Sequence, residues 1–307
     1  MAKLTILFSR LNTIWEFVPL LIQSEIPSAI EKNYIAEIKT MRRITAIDTR
    51  TKSVPAIEKA MAILEHLATS QNGLGLSELT RELSLPKSST YGLLLTLERL
   101  GYLHRNEDTG RYMFGMKILS LANMAMNGLN LRKISASHVR QLMNKTKLTV
   151  HMVVYEQNEA VIIEKADSPY TPKVETWVGK RMGIHCTAAG KALISDWTEE
   201  MIDRLVRYGL PRYNDNTIIS PKKLKKELDV VRKQGYALDD EEETIGSRCV
   251  GAPIKDKNGR IVAAISVAGY KQQIHHETFQ TLVAHVRETA GAISEELGKN
   301  PESFLAN

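Results

Sequence analysis

Residues 76–100, LSELTRELSLPKSSTYGLLLTLERL, constrain the fold of this 307-residue chain more than any other stretch. Leu76, Leu79 and Leu83 recur at helical spacing, as do Thr90, Leu93, Leu94, Leu97 and Leu100, with mostly polar residues between, so each segment carries one buried stripe. Ser84-Leu85-Pro86 separates them: the residue before a proline is pushed out of the α region, and Pro86 suits the first turn of the next helix, which Ser84 is placed to cap. A turn of about four residues fits a helix-turn-helix and is too short for a crossover connection. Behind it, Tyr102-Leu103-His104-Arg105 and Arg111-Tyr112-Met113-Phe114 flank an Asn-Glu-Asp-Thr-Gly turn, a hairpin signal that predicts a wing. Upstream, residues 54–68 supply Ile57, Ala60, Met61, Leu64 and Leu67 to close a three-helix core, and Asn72-Gly73 marks the loop that follows.

A helix of this kind meets base edges with its N-terminal residues, so Lys87, Ser88, Ser89 and Tyr91 are the candidate DNA contacts, with Arg111 from the wing. The alternative is that Ser88 and Ser89 only cap the helix and Lys87 is a solvated charge. Net charge does not decide the matter. Residues 54–116 hold six basic against seven acidic side chains, although the chain as a whole carries +6. The distribution is more telling: Lys39, Arg42, Arg43, Arg50 and Lys52 precede the module with only Asp48 against them, an arm suited to a DNA backbone or simply to water.

The remaining length requires a second domain, and 43% hydrophobic with 25% charged residues is ordinary for a globular chain. Two cysteines, Cys186 and Cys249, imply no disulfide framework and a reducing, cytoplasmic setting. Residues 4–22 are apolar, but Arg10, Glu16 and Pro19 interrupt them, which argues against a membrane span or a signal peptide. Met41 would serve as an alternative start. Helical patterns cover 116–127, 131–144, 188–195, 199–208, 221–234 and 276–297. Strand patterns cover 150–155, 160–166, 174–177, 249–254 and 261–267, the last two joined by an Asp256-Lys257-Asn258-Gly259 turn. This is an α+β layout. Where Thr187-Ala188-Ala189-Gly190-Lys191 passes from loop into helix, small side chains would let an anionic ligand approach backbone N–H groups.

Taken together, SLPKSSTYGLLLTLERLGYL within residues 54–114, HCTAAGKALIS at 185–195 and GYALDDEEETIGSRCVGAPIKDKNGRIVAAISVAG at 235–269 resemble the IclR family of bacterial transcriptional regulators in order and spacing. The resemblance covers residues 54–298. It implies an N-terminal winged helix-turn-helix and a C-terminal GAF-like effector-binding domain, divided as 1–53 extension with basic arm, 54–115 DNA-binding domain, 116–130 linker helix and 131–300 effector domain. It places Ala188, Ala189, Asp239, Cys249 and Ser266 at the effector, with Trp177 and Met182 as candidates for an apolar wall or plain core. Two positions depart from the family pattern: Gly92, where a basic residue is common, and Ala268, where a second serine is common. The implied partners are a double-stranded DNA operator, a small organic-acid or sugar-acid effector, and a second copy of the chain, as a homodimer or dimer of dimers, with repression the favoured sense. Switching would run through the 116–144 helices. No cofactor, metal or catalytic residue is implied.

Two rivals remain. An enzyme would draw a Cys/His/Asp or zinc site from His151, His185, Cys186, Asp239 and Cys249, but there is no C-x-x-C, H-E-x-x-H, G-x-S-x-G or phosphate loop, and His275-His276 are adjacent, about 100° apart on a helix. A ligand-independent DNA-binding protein is the other.

Overall fold

The computed structural model describes residues 53–127, 129–170 and 174–299, so the apolar 4–22 segment and the arm bearing Arg50 and Lys52 lie outside the described residues. Two compact units, Met1–Leu119 and Ser120–Asn307, make up the chain.

In the first unit, α1 (Pro55–Leu67), α2 (Leu76–Glu82) and α3 (Lys87–Arg99) precede an antiparallel hairpin of β1 (Leu103–Arg105) and β2 (Tyr112–Phe114). Ile63, Leu67, Leu79, Leu94, Leu103 and Tyr112 form the centre of its core. The stripe expected on α1 is displaced: Ile57 is 58% and Met61 47% exposed, and Ile63 is fully buried, so the inward face runs through Ala60, Ile63, Leu64 and Leu67. Leu100 is also exposed, because α3 ends at Arg99 and Leu100 is its C-cap. Ser84 does not cap α3. It sits at φ 53°, a left-handed conformation that terminates α2, with the Leu85 N–H donating to the Thr80 carbonyl at 3.1 Å, and Pro86 is the N-cap of α3. Wing and helices are tied by a bridge from Leu74 to Tyr112. Gly73, at φ 69°, allows it: a Cβ there would fall 2.4 Å from the Tyr112 carbonyl oxygen. In the wing turn, the Asn106 Oδ1 accepts from the Asp108 and Thr109 N–H groups.

The second structural layer begins with α4 (Met116–Asn127) and α5 (Asn130–Thr146). β3 (Thr149–Glu156), β4 (Glu159–Ala166), β5 (Arg181–Gly183), β6 (Ala237–Asp240), β7 (Ser247–Lys255) and β8 (Ile261–Tyr270) form a six-stranded antiparallel sheet in the order β5-β4-β3-β8-β7-β6. Alternation along the strands gives it two different faces. Val150, Met152, Val250, Ile265 and Val267 pack with α5 and α9 (His276–Lys299). Val153, Ile162, Ala237 and Ala264 pack with α6 (Ala188–Leu193), α7 (Glu199–Tyr208) and α8 (Pro221–Gln234). The fold is thus α+β, a winged helix-turn-helix followed by a helix-flanked antiparallel sheet.

Residues 174–177, expected as a strand, turn instead. The Val174 and Thr176 carbonyls face the Lys165 ammonium at 3.2 and 2.6 Å, and Lys180 donates back to Trp177 at 3.0 Å. The short edge strands β5 and β6 were not expected from the pattern. β7 carries Gly251 where α6 crosses it: a Cβ at 251 would lie 2.8 Å from the Ala188 carbonyl carbon and 2.9 Å from its oxygen. Gly92, by contrast, sits in α3 with nothing within 4 Å of its would-be Cβ. Opposite outcomes follow for the same change. Gly251→Ala is expected to destabilise the chain by about 1–3 kcal/mol through overpacking, and Gly92→Ala to stabilise its module by about 1 kcal/mol through helix propensity. Calorimetric unfolding of the two variants checks both signs.

Candidate DNA interface and effector site

Lys87, Ser88, Ser89 and Tyr91 all lie exposed at the start of α3. No side chain caps this helix start, so its first N–H groups and their partial positive charge are open to an anion, and neither serine is spent as a cap. Thr90, between them, is buried and donates to the Pro86 carbonyl at 3.0 Å, which fixes the turn's orientation. Arg111 is placed differently from expectation. Its guanidinium reaches the Glu78 carboxylate at 2.9 Å and the Gly73 carbonyl at 3.1 Å. Glu78 also accepts from the Gly75 N–H at 2.7 Å, and that bond together with Arg111 holds its carboxyl below the usual range. Arg111 therefore fastens the wing to α2, and the exposed wing arginine is Arg105, whose guanidinium lies 5.8 Å from the Tyr112 ring centre.

The residues that the family resemblance assigns to an effector converge on the sheet face beneath α6. Asp239 pairs with Cys249 across β6 and β7, and Cys249 with Ala268 on β8. One step along the strands, Ser266 stands between Gly251 and His151, and His151 pairs with Lys165. Ala188 and Ala189 open α6 directly over Gly251, with the Thr187 hydroxyl accepting from the Gly190 N–H. Asp239, Ser266, His151, Ala188 and Ala189 are all buried, and Cys249 is partly so. Ala268 narrows the polar row, leaving Ser266 as its hydroxyl on β8. Met182 is buried in the cluster behind α6, whereas Trp177 is 43% exposed with the Lys180 ammonium 5.1 Å from its ring centre.

Electrostatics give this row its character. Burial pushes the Asp239 carboxyl up to about 8, with Glu243 and Glu242 adding to the shift, although it accepts the Glu242 N–H at 2.8 Å. Burial thus favours the protonated form of Asp239, which can donate. Burial also raises both Cys186 and Cys249 thiols well above their ordinary value. His151 is pushed down to about 3, first by burial and then by Lys165, and bonds the Thr176 hydroxyl at 2.7 Å. His185 falls to about 4 through burial and bonds the Pro211 carbonyl at 3.0 Å. Both imidazoles are neutral. Among the described residues, no group of three His, Cys, Asp or Glu is placed to hold a metal ion.

Sequence reasoning missed the group that anchors the site. Lys191, fully buried on α6, reaches Glu242 at 2.5 Å and Glu227 of α8 at 3.0 Å. Burial opposes its charge, but the two carboxylates outweigh burial and keep it charged. No local pattern announces such a cluster, because its members come from three separate parts of the chain. No helix among the described residues is long and apolar enough to cross a membrane.

Residues 56–107 match the IclR helix-turn-helix domain, and residues 123–295 match the bacterial transcriptional regulator IclR C-terminal domain. The HTH-type transcriptional repressor AllR of Klebsiella pneumoniae is 30% identical over 253 residues, 82% of this chain and 93% of the relative. The solved Thermotoga maritima IclR is 30% identical with a TM-score of 0.67, covering 80% of this chain and 99% of that one. An IclR homolog from Microbacterium hydrocarbonoxydans complexed with 4-hydroxybenzoate, at 22% identity, shares the fold with a TM-score of 0.69, over 79% of this chain and 98% of that one. With a helix-turn-helix on one unit and both domain types matched along the chain, this protein belongs to the IclR family of bacterial transcriptional regulators.

Proposed function

We propose that this DNA-binding regulator is a cytoplasmic repressor whose operator affinity is set by a small organic acid held on the buried polar row under α6. The observation that carries the reading is the buried polar row itself: Asp239, almost fully buried opposite Cys249 and close to Ser266, is shifted by burial toward its protonated form, and a protonated carboxyl can donate a hydrogen bond to a carboxylate that an ionised one would repel. Ser266 supplies a second hydroxyl, and Ala188 and Ala189 leave room for close approach. The 4-hydroxybenzoate bound by the Microbacterium homolog is such an acid. Lys87, Ser88, Ser89 and Tyr91 contact the operator, with Arg50 and Lys52 following its backbone. Catalysis has no part in this reading, since raised thiols are poor nucleophiles and both neighbouring imidazoles are engaged in hydrogen bonds.

The working form is a homodimer. α4 exposes Leu119, Leu121 and Met124 at 61, 45 and 71%. A 12-residue helix with that much apolar surface is marginal alone in water and gains from a partner helix. Dimerisation also supplies two recognition helices for half-sites about 34 Å apart. Effector binding shifts their spacing through α4 and α5, provided the ligand binds the two arrangements unequally.

Three outcomes test this. In a thermal-shift screen of small organic acids, a true effector at 100 times its Kd stabilises the protein by about 2.7 kcal/mol; no response from any acid would contradict the reading. The affinity for that acid should fall as pH rises through about 8, where Asp239 ionises, and Asp239→Asn, which keeps a donor, should flatten the profile in calorimetric titrations. Leu119→Asp combined with Met124→Asp should convert a dimer into a monomer by light scattering; an unchanged mass would place the dimer contact elsewhere.

A further inference from the structure

DNA binding poses an electrostatic problem in this chain, since the helix-turn-helix module holds six basic and seven acidic side chains. Beyond the basic arm at residues 39–52, positive charge gathers on α7, α8 and the loop between them: residues 199–234 hold nine basic side chains against six acidic. The acids there are almost all consumed internally. Lys225 takes Glu199 and Asp203 at 3.1 and 2.8 Å, Arg212 takes Asp215 at 2.6 Å, Arg232 takes Asp229 at 2.7 Å, and Glu227 is drawn inward to Lys191 at 3.0 Å. Arg204, Arg207, Lys222, Lys223, Lys226 and Lys233 are exposed and make no ion pair among the described residues, with Glu200 the one acid left over in this stretch.

Their arrangement is ordered by the helix. Leu224, Leu228 and Val231 turn the opposite face of α8 into the core. At 100° per residue, Lys222, Lys226 and Lys233 therefore fall along the outermost line of the helix, a ridge about 16 Å long. The acid on that line, Asp229, is neutralised by Arg232. A line of ammonium groups without counter-charge, on a chain whose established partner is a polyanion, matches the backbone of that polyanion in sign and form.

We infer that the α7–α8 surface is a second, sequence-independent contact for duplex DNA, with Lys222, Lys226 and Lys233 meeting phosphates that α3 does not contact. The inference rests on the family's DNA binding and goes beyond the recognition helix. Phosphate contacts of this kind release counterions, so they are read in the salt dependence of binding.

The test uses the full chain and a fluorescent duplex of random sequence, titrated by anisotropy at several salt concentrations. Against wild type stand a ridge triple, Lys222→Gln/Lys226→Gln/Lys233→Gln, and a control triple with the same loss of charge at exposed, unpaired lysines elsewhere, Lys133→Gln/Lys255→Gln/Lys257→Gln. The ridge triple is expected to lower the slope of log K against log salt by about 2.7, roughly 0.9 per lost contact, and the control to leave it unchanged. The same three positions changed to Arg should restore the slope, which separates charge from any effect on folding. Equal slopes for wild type and the ridge triple, as an acidic protein partner or a merely solvated ridge would give, overturn the inference, and so does an equal fall in both triples. Weak binding by wild type itself would instead count against the DNA-binding reading.

Discussion

Everything in the C-terminal unit hangs on how α6 is seated against the sheet. Gly251 lets the Ala188 backbone come within about one atom's width of β7, closer than any side chain would permit. Lys191 then fixes the helix from behind, its ammonium fully buried between Glu242 and Glu227. Such a cation tolerates burial only with its partners in place, and removing one from a buried pair costs about 3–5 kcal/mol. Because Glu242 belongs to the loop after β6 and Glu227 to α8, one side chain joins the three elements around the polar row. The same loop delivers the Glu242 N–H to Asp239, and Glu243 accepts the Gly183 N–H at 3.3 Å, so Asp239 and the Lys191 cluster are joined through one loop.

This arrangement explains why acids can crowd at Asp239 without unfolding the site. Lys191 balances part of the charge of Glu242 and Glu227, and Asp239 avoids the remainder by keeping its proton. In the proposed reading, Asp239 would act at the effector as a neutral donor. The N-terminal unit places its charges differently: Arg111 and Glu78 pair to fix the wing, and the uncapped helix start of α3, with Lys87, stays exposed.

Much of this was legible in the sequence because it is local. The helix-turn-helix, the hairpin and α7 and α8 follow from periodicity and from Pro, Gly and Asn signals. What escaped depends on distant partners. Ile63 rather than Ile57 or Met61 faces the core because tertiary packing selects among several apolar positions on α1. Residues 174–177 have strand-like composition, but their carbonyls are drawn to Lys165. Ser84 has the chemistry of an N-cap, yet the geometry needed to end α2 claims it first. Lys191, Glu227 and Glu242 are 51 positions apart at most, and nothing in their neighbours reveals that they meet.

The central claim is that occupancy of the row beneath α6 and occupancy of the DNA surface are coupled free energies of one molecule. Such coupling is reciprocal: the factor by which an organic acid changes operator affinity must equal the factor by which operator DNA changes affinity for the acid. Measuring both by titration calorimetry on the same preparation is the direct test. A shared factor on the order of 5–150, lost when Asp239 is replaced by Leu, is the result the account predicts. A factor of one in both directions with a ligand that demonstrably binds would contradict it.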